Sequence, residues 1–467
     1  MNLSMLINGE MVSSDKTIDV LNPATEEPFA TVPHCSEAQL DEAVAAATEA
    51  QKKWRETDMS ERRELLQTLG AAIAENEAEL AELITKEQGK PLAEATGEVQ
   101  WAVGYAGHTA TLELPDRVIQ DDEDLFVEMR HKPLGVVGGI VAWNFPFLLA
   151  VWKIAPAILA GNAIVLKPAP TTPVSTLKLA EICKEIFPPG LINIITDNND
   201  LGPKMTKHPG ISKIGFTGSS ATGKKIMESA ASTMKRVTLE MGGNDPSIVM
   251  PDVNVKEAAE KVYAGAFANA GQVCLAVKRA YVHSDIYDEF CDELQKIAEQ
   301  AVVGDGMQPD TTIGPIQNKM QYEKVKGYME DAKANGKIVA GGDVPEGKGY
   351  FVQPTIVRDV KDGQKIVDEE QFGPILPVIP FDDIDEVIER ANASEYGLGG
   401  AVHSSDVDWA TEVAGRIESG TVWVNQQLNI GPHIPMAGFK GSGLGVEQSV
   451  EGLSEYTQTQ VINVARK

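Results

Sequence analysis

The chain is 467 residues long, 43% hydrophobic and 23% charged, with a formal net charge of -27. That length suggests about three domains, or one large domain with insertions, and the ordinary balance of residues argues for a self-sufficient core and against disorder. The acidic balance excludes nucleic acid and anionic membrane surfaces as partners, because both require clustered basic residues.

The opening stretch lacks a basic segment followed by a long apolar run, so a signal peptide is not expected. No stretch approaches the roughly 18 apolar residues that span a bilayer. With four cysteines and seven histidines scattered without ligand spacing, neither a disulfide framework nor a metal site is expected. These features together predict a cytoplasmic protein.

Residues 37–100 read as helices. Ser36-Glu-Ala-Gln-Leu-Asp-Glu-Ala-Val44 places an N-cap before apolar residues at helical spacing, and amphipathic segments at 60–75 and 76–88 end near Gly89. From residue 135 the pattern becomes an alternation. Strand-like runs at 135–141, 162–166, 191–195, 211–216 and 236–240 are separated by helical stretches at 148–159, 176–187 and 221–231, with a short helix before residue 211. Such alternation predicts a parallel, doubly wound α/β sheet. A second alternation starts at Ser247-Ile-Val-Met250 and runs through helices at 255–268, 285–300 and 319–334 and strands at 279–283, 375–380 and 421–425. It predicts a second α/β domain. The segments 116–133 and 457–467 read as strands outside both, of a kind that pairs with another subunit.

Ligands of doubly wound sheets bind beyond the carboxyl ends of the strands. Trp143 and Asn144, Lys167, Thr217 to Ser219, and Glu240 all fall at such ends, a convergence that packing alone does not explain. Gly218-Ser-Ser-Ala-Thr-Gly223-Lys224-Lys225 follows a strand and opens a helix, whose free N–H groups suit a phosphate. The spacing also fits a nucleoside-triphosphate loop, but Lys225 stands where Ser or Thr would hold magnesium. The Gly–x–Gly–x–x–Gly fingerprint is absent as well, so a dinucleotide would be gripped in a variant way. Cys274 is the candidate nucleophile, because Gly271 and Gln272 interrupt a helical pattern just before it; Glu240 is the candidate base. An ordinary thiol is only a few per cent thiolate at neutral pH, so such a role needs nearby dipoles or a base.

These residues resemble those of the NAD(P)-dependent aldehyde dehydrogenases over essentially the whole chain. The resemblance lies in Ala142-Trp-Asn-Phe-Pro146, Leu166-Lys-Pro-Ala169, Phe216-Thr-Gly-Ser219, Leu239-Glu-Met-Gly-Gly243, Asn269-Ala-Gly-Gln-Val-Cys274, Glu369-Glu-Gln-Phe-Gly-Pro374 and Gly441-Ser-Gly443, in the family's order. It implies oxidation of an aldehyde to the acid with NAD or NADP, through a cysteine thioester hydrolysed by activated water. It also implies Cys274 as nucleophile, Glu240 as base, and Asn144 with the Cys274 backbone N–H as the oxyanion hole. Lys153 and Glu447 match residues near a proton path. Trp143, Lys167, Gly218, Ser219, Gly223, Glu370 and Phe372 match cofactor contacts, Glu370 on the nicotinamide ribose.

Three departures stand out. Ala142 replaces a proline. Pro170 stands where strict NAD users often carry an acid, which leaves NADP use open. Trp152 stands where relatives acting on carboxylate-bearing semialdehydes often carry an arginine, and with Phe145 and Leu149 it suggests an apolar or aromatic aldehyde entrance. The division expected is an NAD(P)-binding domain at 1–115 and 134–242, a catalytic domain at 243–441, and bridging segments at 116–133 and 442–467 that build a homodimer or homotetramer. The close alternative is a coenzyme-A-acylating relative, which usually lacks the glutamate. More remote are a P-loop-like nucleotide-binding protein and a catalytically silent structural one.

Overall fold

Ser36 caps the helix Glu37–Trp54 through a reciprocal capping box with Gln39, and Gly89 (φ 99°) ends the helix Glu77–Gln88 in the left-handed conformation that glycine adopts without penalty. The structure is a computed structural model that describes residues 3–467. A further helix, Leu92–Thr109, follows Pro91 and packs on the helices Met59–Glu75, Glu77–Gln88 and Pro146–Leu159. Sequence periodicity had not separated it from its neighbours.

The first sheet has eight strands. In spatial order its parallel centre runs Ile192–Ile194, Ala163–Lys167, Val136–Ile140, Lys213–Thr217 and Arg236–Glu240. The chain therefore runs outward from Val136–Ile140 on one side and then crosses to the other. The order reverses between Val136–Ile140 and Lys213–Thr217, which is where open α/β sheets form a ligand crevice. An N-terminal hairpin, Met5–Ile7 with Glu10–Val12, extends one edge, and Gly443–Leu444 pairs antiparallel with Leu239–Glu240 at the other. Every residue of the helix Pro146–Leu159 is buried.

The second sheet has seven strands, in the order Lys337–Ala340, Thr355–Arg358, Ile375–Phe381, Val277–His283, Asp245–Val249, Gly399–His403 and Thr421–Val424. All but the first pair are parallel. The helix read at 285–300 spans Tyr287–Ala298 after a short 3₁₀ turn.

Arg117–Asp121, Leu125–Pro133 and Thr457–Ala465 form a separate antiparallel three-stranded sheet. Within 442–467 only Thr457–Ala465 belongs to this sheet. Gly443–Leu444 closes the first sheet instead, and Glu447 is buried. Among the described residues, no helix is long and apolar enough to cross a membrane.

Candidate active site

A cavity of about 1660 Å³ opens over the crevice of the first sheet and is also lined by turn and loop residues of the second half of the chain, among them Cys274 and Glu370. Cys274, Glu240, Asn144, Trp143, Phe145, Leu149, Trp152, Lys167, Gly218, Ser219, Glu370 and Phe372 all line it. Residues from both halves of the chain thus line one cavity.

Cys274 is delivered by a tight turn. After the helix Val255–Phe267 the backbone takes positive φ at three consecutive residues, Asn269 (50°), Ala270 (54°) and Gly271 (71°). Positive φ is unfavourable for alanine, so this segment is held by its surroundings. At Gly271 a side chain would meet the Gly373 carbonyl oxygen at 2.4 Å, which ties the nucleophile turn to the Phe372 loop. Lys278, in the strand Val277–His283, donates to the carbonyls of Val273 (3.0 Å) and Cys274 (2.7 Å). Burial pushes the Cys274 thiol up to about 12; the Lys278 charge opposes this, while Glu240, Asp245 and Glu370 reinforce it.

Glu240 ends the strand Arg236–Glu240, buried, and neither carboxylate oxygen has a hydrogen-bond partner in the protein. Burial first, and then the nearby Glu447 charge, hold it well above the ordinary carboxylate range, against the pull of Lys153. A carboxylate so placed is a proton acceptor poised nearer neutrality than an exposed one. Lys153 and Glu447 themselves form a fully buried ion pair at 2.5 Å, and the second Glu447 oxygen is unpartnered. Asn144 donates its amide to the Gln272 carbonyl at 3.0 Å. An amide carries two N–H donors, so one remains for a ligand in the cavity that Cys274 also lines.

A nucleotide cofactor fits the crevice. Gly218 turns the chain into the helix Ser220–Ala231, and a side chain there would strike the Phe216 ring at 2.5 Å. Ser219 caps that helix through the Thr222 N–H, and the buried Thr217 hydroxyl beside them has no partner. Trp143 and Phe372 meet edge to face at 5.4 Å. The Glu370 carboxylate accepts the Gly243 N–H at 3.0 Å, and a side chain on Gly242 would collide with it.

Two expected cofactor contacts look different in the fold. Gly223 lies inside the helix, outside the cavity lining, where a side chain would meet the Met241 sulfur at 2.1 Å. Its smallness makes room for Met241, just past the end of the strand Arg236–Glu240. Lys167 lines the cavity, but its ammonium is 2.8 Å from the buried Asp197 carboxylate and 3.4 Å from Asn199. Its charge is therefore already paired.

Phe145, Leu149 and Trp152 form an apolar wall with Leu148, Leu428, Ile430 and Met436. Trp101 meets Trp152 edge to face at 6.1 Å, and Tyr105 tilts against it at 5.7 Å. Sequence reading missed Lys278, Asp197, Lys90 and Glu98. The first sits in a strand run and the others in helix or loop runs, and only tertiary contacts assign them. The Gly89-Lys90-Pro91 loop, a cation between two helix-breaking residues, was the one available signal. Among the described residues no cluster of three or more His, Cys, Asp or Glu could hold a metal ion.

The aldehyde dehydrogenase family model matches residues 11–462. The chain is 42% identical, over 98% of its length and 94% of the relative's, to the putative aldehyde dehydrogenase DhaS of Bacillus subtilis (strain 168). The NAD+ complex of an aldehyde dehydrogenase from Bacillus cereus superposes with a TM-score of 0.98 at 38% identity, covering 100% of this chain and 97% of that one. An NADP-dependent enzyme of E. coli superposes at 0.97 with 35% identity, covering 99% and 98%.

Proposed function

Because this chain belongs to the aldehyde dehydrogenase family, we propose that Cys274, Glu240 and Asn144 carry out its reaction. The enzyme is an NAD(P)-dependent aldehyde dehydrogenase that converts an aldehyde to the carboxylic acid. The observation that carries the assignment is the shared cavity: a thiol, an unpartnered buried carboxylate and an amide donor all line it.

In this reading Cys274 reacts as the thiolate, its proton having passed to solvent. The sulfur bonds to the aldehyde carbon, the carbonyl π pair moves to oxygen, and that oxyanion is held by Asn144. Removing one such donor costs about 3–4 kcal/mol. When bound, the nicotinamide supplies the hydride acceptor. Trp143, Gly218, Ser219, Glu370 and Phe372 line the space it would take. Oxidation leaves a thioester on Cys274. Glu240 then draws a proton from water, whose oxygen attacks the acyl carbon and releases the acid and the thiolate. Lys153 and Glu447, a buried pair whose charges act on Glu240, support a path that takes that proton onward.

Phe145, Leu149 and Trp152 support an apolar or aromatic aldehyde as substrate, since they offer no cation for a carboxylate-bearing one. The coenzyme-A-acylating alternative is disfavoured by Glu240, and the nucleoside-triphosphate alternative by Lys225. The cysteines, all unpaired, support a reducing, cytoplasmic setting. Exposed Val118, Ile119, Val461 and Val464 on the three-stranded sheet support a homodimer or homotetramer, with 116–133 and part of 442–467 as its bridging segments. For the remaining division, the two large sheets support 1–115 with 134–242 for the cofactor and 243–441 for catalysis. Acid formation from a panel of aliphatic, aromatic and carboxylated aldehydes, with each cofactor and no coenzyme A, tests the assignment. Strict dependence on coenzyme A would overturn it.

A further inference from the structure

We propose that Lys90 and Glu98 are positioning residues for the reaction: a buried ion pair that clamps the backbone around Asn144 and so aims its amide at the developing oxyanion. This rests on reading Asn144 as the oxyanion donor.

The Lys90 and Glu98 side chains are both 0% exposed, with Nζ 2.5 Å from Glu98 Oε2. The same ammonium donates to the Asn144 carbonyl oxygen at 3.0 Å and lies 3.8 Å from the centre of the Phe145 ring. Asn269, on the nucleophile turn, donates to that carbonyl too, at 3.0 Å. The other Glu98 oxygen accepts the N–H groups of Phe147 and Leu148 at 3.0 and 3.1 Å. These belong to the first turn of the helix Pro146–Leu159, where backbone donors lack helical partners and a negative charge is favoured. The pair thus holds the chain on both sides of the Asn144–Phe145 step, by the carbonyl before it and the amides after it.

Stability does not account for two charges here. Their desolvation offsets most of their attraction, and apolar residues of similar volume are often as stable in such places. What an apolar pair could not supply is a cation on the Asn144 carbonyl together with an anion on the amides that follow. With the backbone fixed this way and one amide N–H held by Gln272, the direction of the remaining N–H is set, and Asn144 lines the cavity. The helix Leu92–Thr109, which contributes Glu94, Gly97, Glu98 and Trp101 to the cavity lining, thereby enters the catalytic geometry together with its preceding loop.

A double-mutant cycle tests this, because residues acting through one another show non-additive effects. Single-turnover formation of reduced cofactor is measured for wild type, Glu98→Gln, Asn144→Ala and the double variant, with cofactor affinity by fluorescence titration and melting temperature as controls. Asn144→Ala is expected to slow the reaction by about 10²–10³-fold. Glu98→Gln should slow it by about tenfold or more with cofactor affinity unchanged, and the double variant should be no slower than Asn144→Ala. Multiplicative losses in the double variant would overturn the proposal alone. A wild-type rate for Asn144→Ala would overturn the oxyanion assignment and the proposal with it. If Glu98→Gln does not fold, Lys90→Met with Glu98→Leu removes both charges. Full activity of that folded protein would overturn the proposal, and a slow but folded enzyme with normal cofactor affinity would support it.

Discussion

The Lys278 ammonium donates to the carbonyl oxygen of Cys274 at 2.7 Å and lies 3.7 Å from the Glu370 carboxylate. One cation therefore anchors the nucleophile turn and faces a proposed cofactor contact. It is also the charge that opposes the upward push of burial on the thiol, which stands at about 12. At neutral pH the resting sulfur is protonated, and its reactivity follows the small thiolate fraction. Alkylation of the free enzyme by iodoacetamide should accelerate about tenfold per pH unit between pH 7 and 10. Lys278→Met should slow it at every pH. A plateau below pH 8 would show a thiol held low, against this account.

Cys274→Ala should abolish aldehyde oxidation while leaving cofactor binding intact, since the sulfur lines the cavity from a turn that belongs to neither sheet. The other cysteines, Cys35, Cys183 and Cys291, are buried outside the cavity lining, so none can substitute. Residual turnover with purified Cys274→Ala, measured as reduced cofactor, would mean a different nucleophile.

Glu240→Gln separates the two halves of the reaction. Acylation should still give one equivalent of reduced cofactor per site, followed by slow turnover as the thioester waits for water. Because the Glu240 pKa is raised, its basic form is lost as pH falls through a value above the ordinary carboxylate range. The wild-type steady-state rate should therefore decline on acidification well before pH 4.5, and the glutamine variant should lack that limb. Equal loss of burst and steady state in Glu240→Gln would assign the glutamate an earlier role.

Much of this site was legible because each participant lies at an element boundary. Asn144, Lys167, Gly218 and Glu240 follow buried apolar runs, and strand ends in a parallel sheet face one edge whatever the loops do. Cys274 was legible for a related reason, as Gly271 and Gln272 break a helical run. The pairings were not legible. Lys90 and Asn144 are far apart in sequence, as are Lys167 and Asp197, and no periodicity links a cation to its partner. Gly223 is ambiguous for the converse reason: a glycine in a phosphate-loop spacing looks the same whether its missing side chain makes room for a ligand or for Met241.

That distinction is measurable. Gly223→Ala places a methyl group against the buried Met241 sulfur. Overpacking costs about 1–3 kcal/mol, more than the roughly 1 kcal/mol that alanine gains over glycine inside a helix. The melting temperature should fall, with cofactor affinity affected less than in a variant at Ser219. A large affinity loss at unchanged melting temperature would return Gly223 to the cofactor site.

Pro170 left NADP use open, but the Lys167–Asp197 pair points the other way. Lys167 is 4% exposed and Asp197 0%, and the second Asp197 oxygen accepts the Leu201 N–H at 2.9 Å, so the carboxylate is fixed in place. A 2′-phosphate arriving at this strand end meets a cation already neutralised, with the carboxylate just behind it. The enzyme should bind NAD+ more tightly than NADP+. Asp197→Asn keeps the shape and frees the lysine charge, so it should move the affinity ratio toward NADP+ by about five- to tenfold, on the order of 1 kcal/mol for one partly screened charge. Fluorescence titration with both cofactors at low and moderate salt reads this directly. The shift should shrink as salt rises, since a phosphate–lysine contact is screened. A ratio indifferent to Asp197→Asn would mean that discrimination lies elsewhere in the crevice.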